Sequence, residues 1–175
     1  FDNLNHIVFA GMGGSGAIGE IFASILSKSK IHVSVINGYH LPSTVDSNTL
    51  VIPISVSGNT DETLTILESA NLLKCKIIAF AAGGQIQKYC KKNNIKFQQI
   101  SQDHSPRGSF VRYLYSIIKI LQSTLKIKSS DINESIKILE KMQKDISSQN
   151  LTDSNSAISL AKWISGIPVI YYPWG

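Results

Sequence analysis

The regular alternation of short apolar runs with helix-period segments most constrains how this chain can fold. Five runs of strand length are rich in β-branched residues and show little polar alternation, as expected of a parallel sheet covered on both faces. Strand–helix repetition of this kind predicts βαβ units with right-handed crossovers. The predicted strands are residues 6–10, 31–36, 50–54, 76–81 and 95–100, and the predicted helices between them are residues 17–26, 60–73 and 85–93.

The pattern becomes mainly helical beyond the fifth predicted strand. A long helix is predicted with Ser105 as its N-cap and Pro106 as its first residue, because proline suits that position. The remaining predicted elements are that helix over residues 106–125, a second over 131–148 opened by a capping box from Asp131 to Glu134, a third over 151–165, and a strand over 167–172. The pattern predicts an α/β protein: a flavodoxin-like three-layer αβα sandwich on a five-stranded parallel sheet in the order 2-1-3-4-5, followed by connector helices.

Composition excludes several classes of protein. The charged fraction of 17% argues against a disordered chain or a coiled coil, and no apolar run approaches the roughly 18 residues of a membrane span. Two cysteines, Cys75 and Cys90, cannot form a disulfide framework and suit a reducing cytosol. The net charge is +5, yet the chain holds only two arginines, and its densest lysine stretch has no interleaved aromatic residues apart from Tyr89 and Phe97, which argues against nucleic acid. We therefore expect a cytoplasmic protein with neither nucleic-acid nor membrane partners.

A glycine-rich loop follows the first predicted strand and opens a helix. Residues 11–16 read Gly-Met-Gly-Gly-Ser-Gly, so Gly13, Gly14 and Ser15 can bring backbone N–H groups against an anion at a helix N-terminus. The spacing also fits the dinucleotide fingerprint, but the second strand ends in Asn37 without the carboxylate that holds a ribose. A Walker A loop is excluded because no Gly-Lys-Ser/Thr follows.

A second polar loop follows the third predicted strand. Ser55, Ser57 and Thr60 place three hydroxyls between a strand and a helix. Helix capping explains one hydroxyl but not three, and several donors together can hold a dianion without lysine. In the 2-1-3-4-5 order the loops after strands one and three flank the point where strand order reverses, so we expect them to converge. No acidic metal-ligand cluster accompanies them, so we predict a phosphate ester held without metal and without a cofactor.

Together these loops resemble those of a sugar isomerase (SIS) domain, and within that group the bifunctional phosphoglucose/phosphomannose isomerase family. The matching segments are residues 11–16, Ser55-x-Ser57-Gly58-x-Thr60 with Glu62-Thr63-Leu64, Tyr39-x-Leu41-Pro42, Ser105-Pro106-Arg107, and residues 167–171. The resemblance implies an SIS phosphosugar-binding domain over residues 1–124, a helical connector over 125–165, and the first strand of a truncated second SIS domain over 166–175. It also implies that the chain is a piece of a longer protein.

The resemblance implies a hexose 6-phosphate ligand and aldose–ketose isomerisation of glucose 6-phosphate or mannose 6-phosphate to fructose 6-phosphate by a homodimer. Arg107 is then the catalytic residue that stabilises negative charge on the sugar, whereas the glutamate base, the ring-opening histidine and a lysine lie later in the family's chains. His104 is interpreted as a polar surface residue. The alternatives are a phosphosugar-sensing SIS domain without catalysis and a dinucleotide-binding domain.

Overall fold

The computed structural model describes residues 4–102, 105 and 107–164. Its strands are β1 (His6–Ala10), β2 (His32–Ile36), β3 (Leu50–Ser55), β4 (Lys76–Ala81) and β5 (Lys96–Gln99). Its helices are α1 (Gly14–Leu26), α2 (Asp61–Leu72), α3 (Gly84–Lys92), α4 (Phe110–Leu125), α5 (Ser129–Asp145) and α6 (Ser156–Trp163). The strands form one parallel sheet in the order β2-β1-β3-β4-β5, which confirms the predicted α/β class and strand order.

Strand β1 is where the strand order reverses. Its residue Ile7 is in register with Val33 of β2 on one side and with Leu50 of β3 on the other. The chain therefore leaves β1 toward one edge, returns, and continues toward the other edge. The carboxyl ends of β1 and β3 are neighbours as a result, and a ligand crevice forms at such a point in open α/β sheets.

The apolar core lies on both faces of the sheet. Strand β3 is buried along its whole length, which explains why its sequence lacks polar alternation. On the α1 face, the rings of Phe9 and Phe22 stack with centroids 4.8 Å apart. Each fully buried large apolar side chain contributes about 1.5–3 kcal/mol relative to exposure. The sheet and its packed helices thus give the strand ends a rigid base.

Helix α4 begins later than the sequence pattern predicts. It starts at Phe110 with Ser109 in the N-cap position, so the prediction of Ser105 as N-cap was wrong. The backbone N–H and hydroxyl of Ser109 both donate to the Ser105 carbonyl oxygen, at 3.1 and 2.9 Å. The turn closed by these hydrogen bonds precedes α4, so Arg107 lies in that turn and not in the first turn of the helix. Pro106, predicted as the first helical residue, lies outside the described residues.

The later helices also differ in their starts. Helix α5 begins at Ser129, so Asp131 lies inside the first turn and the predicted capping box was wrong. Helix α6 is shorter than predicted because residues 151–155 form a turn before it. The side chain of Asn155 ends that turn by accepting from the N–H groups of Ala157 and Ile158, at 3.0 and 3.3 Å. The predicted strand over 167–172 lies outside the described residues.

The chain divides into two compact units, Phe1–Lys126 and Ile127–Gly175. The first contains the sheet and α1 to α4. The described part of the second consists of α5 and α6, neither of which has a buried residue. Within the described residues no helix combines the length and apolarity needed to cross a bilayer.

Candidate functional site

The glycine-rich loop connects β1 directly to α1, which begins at Gly14, three residues earlier than predicted. Gly13 occupies the N-cap with φ of 53°, in the left-handed region that favours glycine. Gly11 is packed so closely that an added Cβ would lie 2.8 Å from the Ser15 Cβ and 2.9 Å from the Ile54 carbonyl oxygen. The loop after β1 therefore rests against the end of β3. Ser15 is buried within it, whereas Gly13 and Gly14 are exposed.

The residue after β2 bears on the dinucleotide alternative. Asn37 places its amide oxygen against Gly16, where an added Cβ would collide with it. The Gly11 N–H donates to the Ile36 carbonyl oxygen at 3.1 Å and fixes the same corner. A neutral amide packed on α1 thus stands where a ribose-binding domain carries a carboxylate. The local structure disfavours a dinucleotide.

The polar loop between β3 and α2 separates the three predicted hydroxyls into two kinds. Ser55 is 1% exposed, and its Oγ lies 2.8 Å from the Thr60 Oγ1 and accepts from the Gly58 N–H at 3.0 Å. Ser57 is exposed, and its Oγ accepts from the Asn59 N–H at 3.2 Å. Ser55 and Thr60 therefore hold the loop together, while the Ser57 hydroxyl faces solvent beside the start of α2.

One acidic residue at the start of α2 lies near the loop after β2. The negative charge of Glu62 raises the pKa of the Tyr39 hydroxyl in that loop. Thr60 is the N-cap residue of α2, but its side chain makes no capping hydrogen bond because it faces Ser55. Thr63, in the first turn, is 1% exposed, and its Oγ1 has no hydrogen-bond partner among the described residues.

The loop after β4 forms part of this edge, although the sequence interpretation gave it no role. An added Cβ on Gly58, where φ is 71°, would overlap the Gly83 carbonyl oxygen, and one on Gly84, where φ is 73°, would lie 2.6 Å from the Gly58 carbonyl oxygen. Asn59 Oδ1 accepts from the Gln85 N–H at 3.0 Å, and the Ile86 N–H donates to the Gly58 carbonyl oxygen at 3.0 Å. In the sequence, the Gly83-Gly84 pair, which follows the end of β4 after one intervening residue, was the signal that could have identified this loop.

Tyr113 on α4 ties two strand ends together and was also missed. Its buried hydroxyl donates to the carbonyl oxygens of Ile100 at 2.8 Å and Val56 at 3.4 Å. Burial raises the pKa of Tyr113 to about 12. A lone tyrosine in an apolar helix gives no sequence signal for such a contact.

Arg107 is exposed in the turn before α4. The start of that helix lies beside the glycine-rich loop, because the Phe110 ring is 4.0 Å from where a Gly14 Cβ would stand. Arg107 therefore lies three residues before a residue that contacts this loop, in a turn rather than in the first turn of a helix. His104 lies outside the described residues.

The sheet edge therefore combines two helix N-termini and the exposed hydroxyl of Ser57. Helices α1 and α2 follow the ends of neighbouring strands, and each N-terminus carries about half a positive charge with free N–H groups. Such an arrangement can bind an anion through backbone donors.

Comparison with known proteins defines the class. The SIS domain family model matches residues 1–120, so the chain belongs to the SIS domain family, as the sequence resemblance predicted. A bifunctional phosphoglucose/phosphomannose isomerase from Caldicellulosiruptor bescii is 32% identical over 97% of this chain and 51% of its own length. One from Thermoplasma acidophilum is 34% identical over 96% of this chain and 50% of its own length. The chain spans about half the length of these curated relatives.

Solved structures agree on the fold. Glucosamine-6-phosphate deaminase from Thermotoga maritima aligns with a TM-score of 0.63 at 16% identity, covering 82% of this chain and 48% of its own. The Vibrio vulnificus NanR protein complexed with ManNAc-6P aligns with a TM-score of 0.57 at 16% identity, covering 80% of this chain and 56% of its own. At these identities the likeness extends to the fold alone.

Proposed function

We propose that this chain binds the phosphate group of a hexose 6-phosphate between the loops after β1 and β3. We further propose that it contributes this site to an isomerase that interconverts glucose 6-phosphate or mannose 6-phosphate with fructose 6-phosphate. The names of the curated relatives support the reaction. The observation that carries the proposal is that α1 and α2 each follow the carboxyl end of one of two neighbouring strands, β1 and β3.

The donors at this edge suit a phosphate ester. Backbone N–H groups at two helix N-termini supply most of the hydrogen bonds, and Ser57 supplies an exposed hydroxyl next to them. Glu62 lies near Tyr39 of the loop after β2, and its charge acts on that hydroxyl. Ser55 and Thr60 act by holding the loop rather than by touching the ligand.

The proposed reaction moves a proton between two adjacent carbons through an enediol. It requires a base, a group that opens the sugar ring, and a cation or donor near the oxygen that becomes negative. Arg107 fits the last role because its guanidinium is permanently charged and exposed beside the edge. We propose that the base and the ring-opening group come from the part of the longer protein that relatives share beyond this chain.

The domain limits follow the same proposal: an SIS domain over residues 1–124, a connector over 125–165 and the start of a second SIS domain over 166–175. A cytoplasmic homodimer is proposed on the resemblance alone. Sedimentation velocity of the longer protein tests the dimer.

Isothermal titration calorimetry tests the binding proposal. We expect saturable binding of glucose 6-phosphate and fructose 6-phosphate, and no measurable binding of glucose under the same conditions. The matched variant is Ser57→Ala, with Ser29→Ala in the loop after α1 as a control that leaves affinity unchanged. Equal affinity for glucose and glucose 6-phosphate would refute a phosphate site.

A further inference from the structure

Two histidines meet at the amino ends of β1 and β2, the sheet edge opposite the candidate phosphate site. His6 and His32 occupy matching register positions, and their ring centroids are 4.7 Å apart. The Nε2 of His6 lies 3.0 Å from the Ser34 Oγ, and the Nε2 of His32 lies 3.3 Å from the same oxygen. Two imidazole nitrogens thus converge on one hydroxyl group.

The register of the two strands places both rings together. His6 and His32 occupy matching positions of neighbouring parallel strands, so their side chains lie on the same face of the sheet. Ser34 lies two residues after His32, and its side chain is on that face too. A neutral imidazole binds a metal ion through the ring nitrogen that carries the lone pair.

Charge at this corner also favours a cation. The carboxylate of Asp46 lies close enough to the His6 ring to favour positive charge there. Its side chain is held by the Asn48 and Thr49 N–H groups at 2.9 and 3.1 Å. A fixed negative charge beside two imidazoles attracts a positive ion.

We propose that His6 and His32 bind one divalent late-transition-metal ion, of the class of Zn²⁺ or Ni²⁺, through their Nε2 atoms. Imidazole nitrogen suits these ions. Among the described residues no set of three or more His, Cys, Asp or Glu side chains is placed to hold a metal, so the Ser34 hydroxyl and water complete the coordination. The site joins β1 to the edge strand β2 and lies apart from the sugar site.

Calorimetric titration of the tag-free, metal-free chain with ZnCl₂ and NiCl₂ tests this proposal. We expect saturation at one ion per chain. His32→Asn removes an exposed ligand and should weaken binding by at least the roughly 10–100-fold that loss of a supporting group costs. His40→Asn, at an exposed histidine beyond β2, is the matched control and should bind like the parent.

Melting temperature supplies a second readout. Metal that binds the folded state should raise the melting temperature of the parent and of His40→Asn, but not of His32→Asn. Affinity should also fall at acidic pH, because protonated imidazoles cannot bind metal. Identical titrations for the parent and His32→Asn would overturn the proposal. If His32→Asn does not fold, NMR of the parent with Ni²⁺ replaces it. Selective broadening of the His6 and His32 resonances supports the proposal, and equal broadening of the His40 resonances overturns it.

Discussion

The hydroxyl oxygens of Ser55 and Thr60 lie 2.8 Å apart and close the two ends of the loop between β3 and α2. The Gly58 N–H donates to the same Ser55 oxygen, so one buried side chain organises the loop from within. Ser57, at the crest of that loop, is exposed and has the freedom to meet a ligand. Two serines two residues apart therefore differ in role: Ser55 holds the loop, and Ser57 is the one exposed for the proposed ligand.

Replacing Ser55 and Ser57 separately should dissociate stability from binding. Ser55→Ala leaves the Gly58 N–H without its side-chain partner and should lower the free energy of unfolding by about 1–3 kcal/mol. Ser57→Ala should change that free energy by less than about 0.5 kcal/mol and weaken phosphosugar binding by about 1–3 kcal/mol. Urea unfolding and calorimetry measure the two quantities. A steep loss of stability in Ser57→Ala with unchanged affinity would make Ser57 a structural residue.

Gly58→Ala should be strongly destabilising. The left-handed backbone costs a non-glycine residue about 1–2 kcal/mol, and overlap with the Gly83 carbonyl adds about 1–3 kcal/mol. Gly38→Ala is the matched control, because an added Cβ there meets nothing within 4 Å. It should change the free energy of unfolding by less than about 0.5 kcal/mol. Similar urea midpoints for the two variants would contradict the close contact between the loops.

Thr63→Val should stabilise the chain. The buried Thr63 hydroxyl lacks a partner among the described residues, and valine replaces it with a methyl group of similar shape. Removing an unsatisfied buried hydroxyl should raise the free energy of unfolding by about 1 kcal/mol. Thr65→Val on the exposed side of α2 removes a hydroxyl that donates to the Asp61 carbonyl and serves as the comparison. Destabilisation by Thr63→Val would show that the hydroxyl is hydrogen-bonded.

Alkaline pH should destabilise the fold through two buried acids. Burial raises the pKa of Tyr113 from 10.0 to about 12 and that of Cys90 from 9.0 to about 11. Because the folded state holds these protons more tightly, stability should fall as the pH rises, between 9 and 11 for Cys90 and between 10 and 12 for Tyr113. Urea midpoints measured against pH check this. Tyr113→Phe should reduce the loss of stability between pH 10 and 12, and Cys90→Ala should reduce the loss between pH 9 and 11. Parallel pH curves for Tyr113→Phe and the parent would contradict this account.

This chain should bind sugar phosphate without turning it over. Both proposed binding loops are present, but Arg107 cannot accept a proton and no base is assigned within the chain. Loss of a general base alone costs about 10²–10⁴ in rate. The conversion of glucose 6-phosphate to fructose 6-phosphate, assayed for this chain and for the longer protein at equal occupancy, measures the difference. Comparable rates would place the base inside these residues, with His104 the first candidate. Binding without turnover in both would favour a phosphosugar sensor.

The strands could be predicted because apolar runs are a local pattern, and their order is one of the common arrangements of such strand–helix repeats. The apolar runs at β1 and β4 gave those strands their observed limits, and the glycine-rich loop after β1 gave the first helix. Helix starts were less accurate, because hydrogen bonds decide them. Ser105 looks like an N-cap beside a proline, yet its carbonyl accepts from Ser109 and delays α4 to Phe110.

The polar loops could be predicted from their composition, but which of their hydroxyls are buried and which are exposed could not. Three hydroxyls at 55, 57 and 60 give the same signal in sequence, and burial alone separates Ser55 from Ser57. The Tyr113 contact joins residues 57 and 13 positions apart in the chain, so no local pattern predicts it.

The mutual fit of Gly58, Gly83 and Gly84 limits how this edge can be re-engineered or diverge. Each loop occupies the space that a side chain on the other would need. A loop grafted after β3 from another domain must therefore arrive with its own partner after β4, or the recipient backbone will not close around it. The two turns therefore form a single unit of inheritance, although α2 and β4 separate them in the chain.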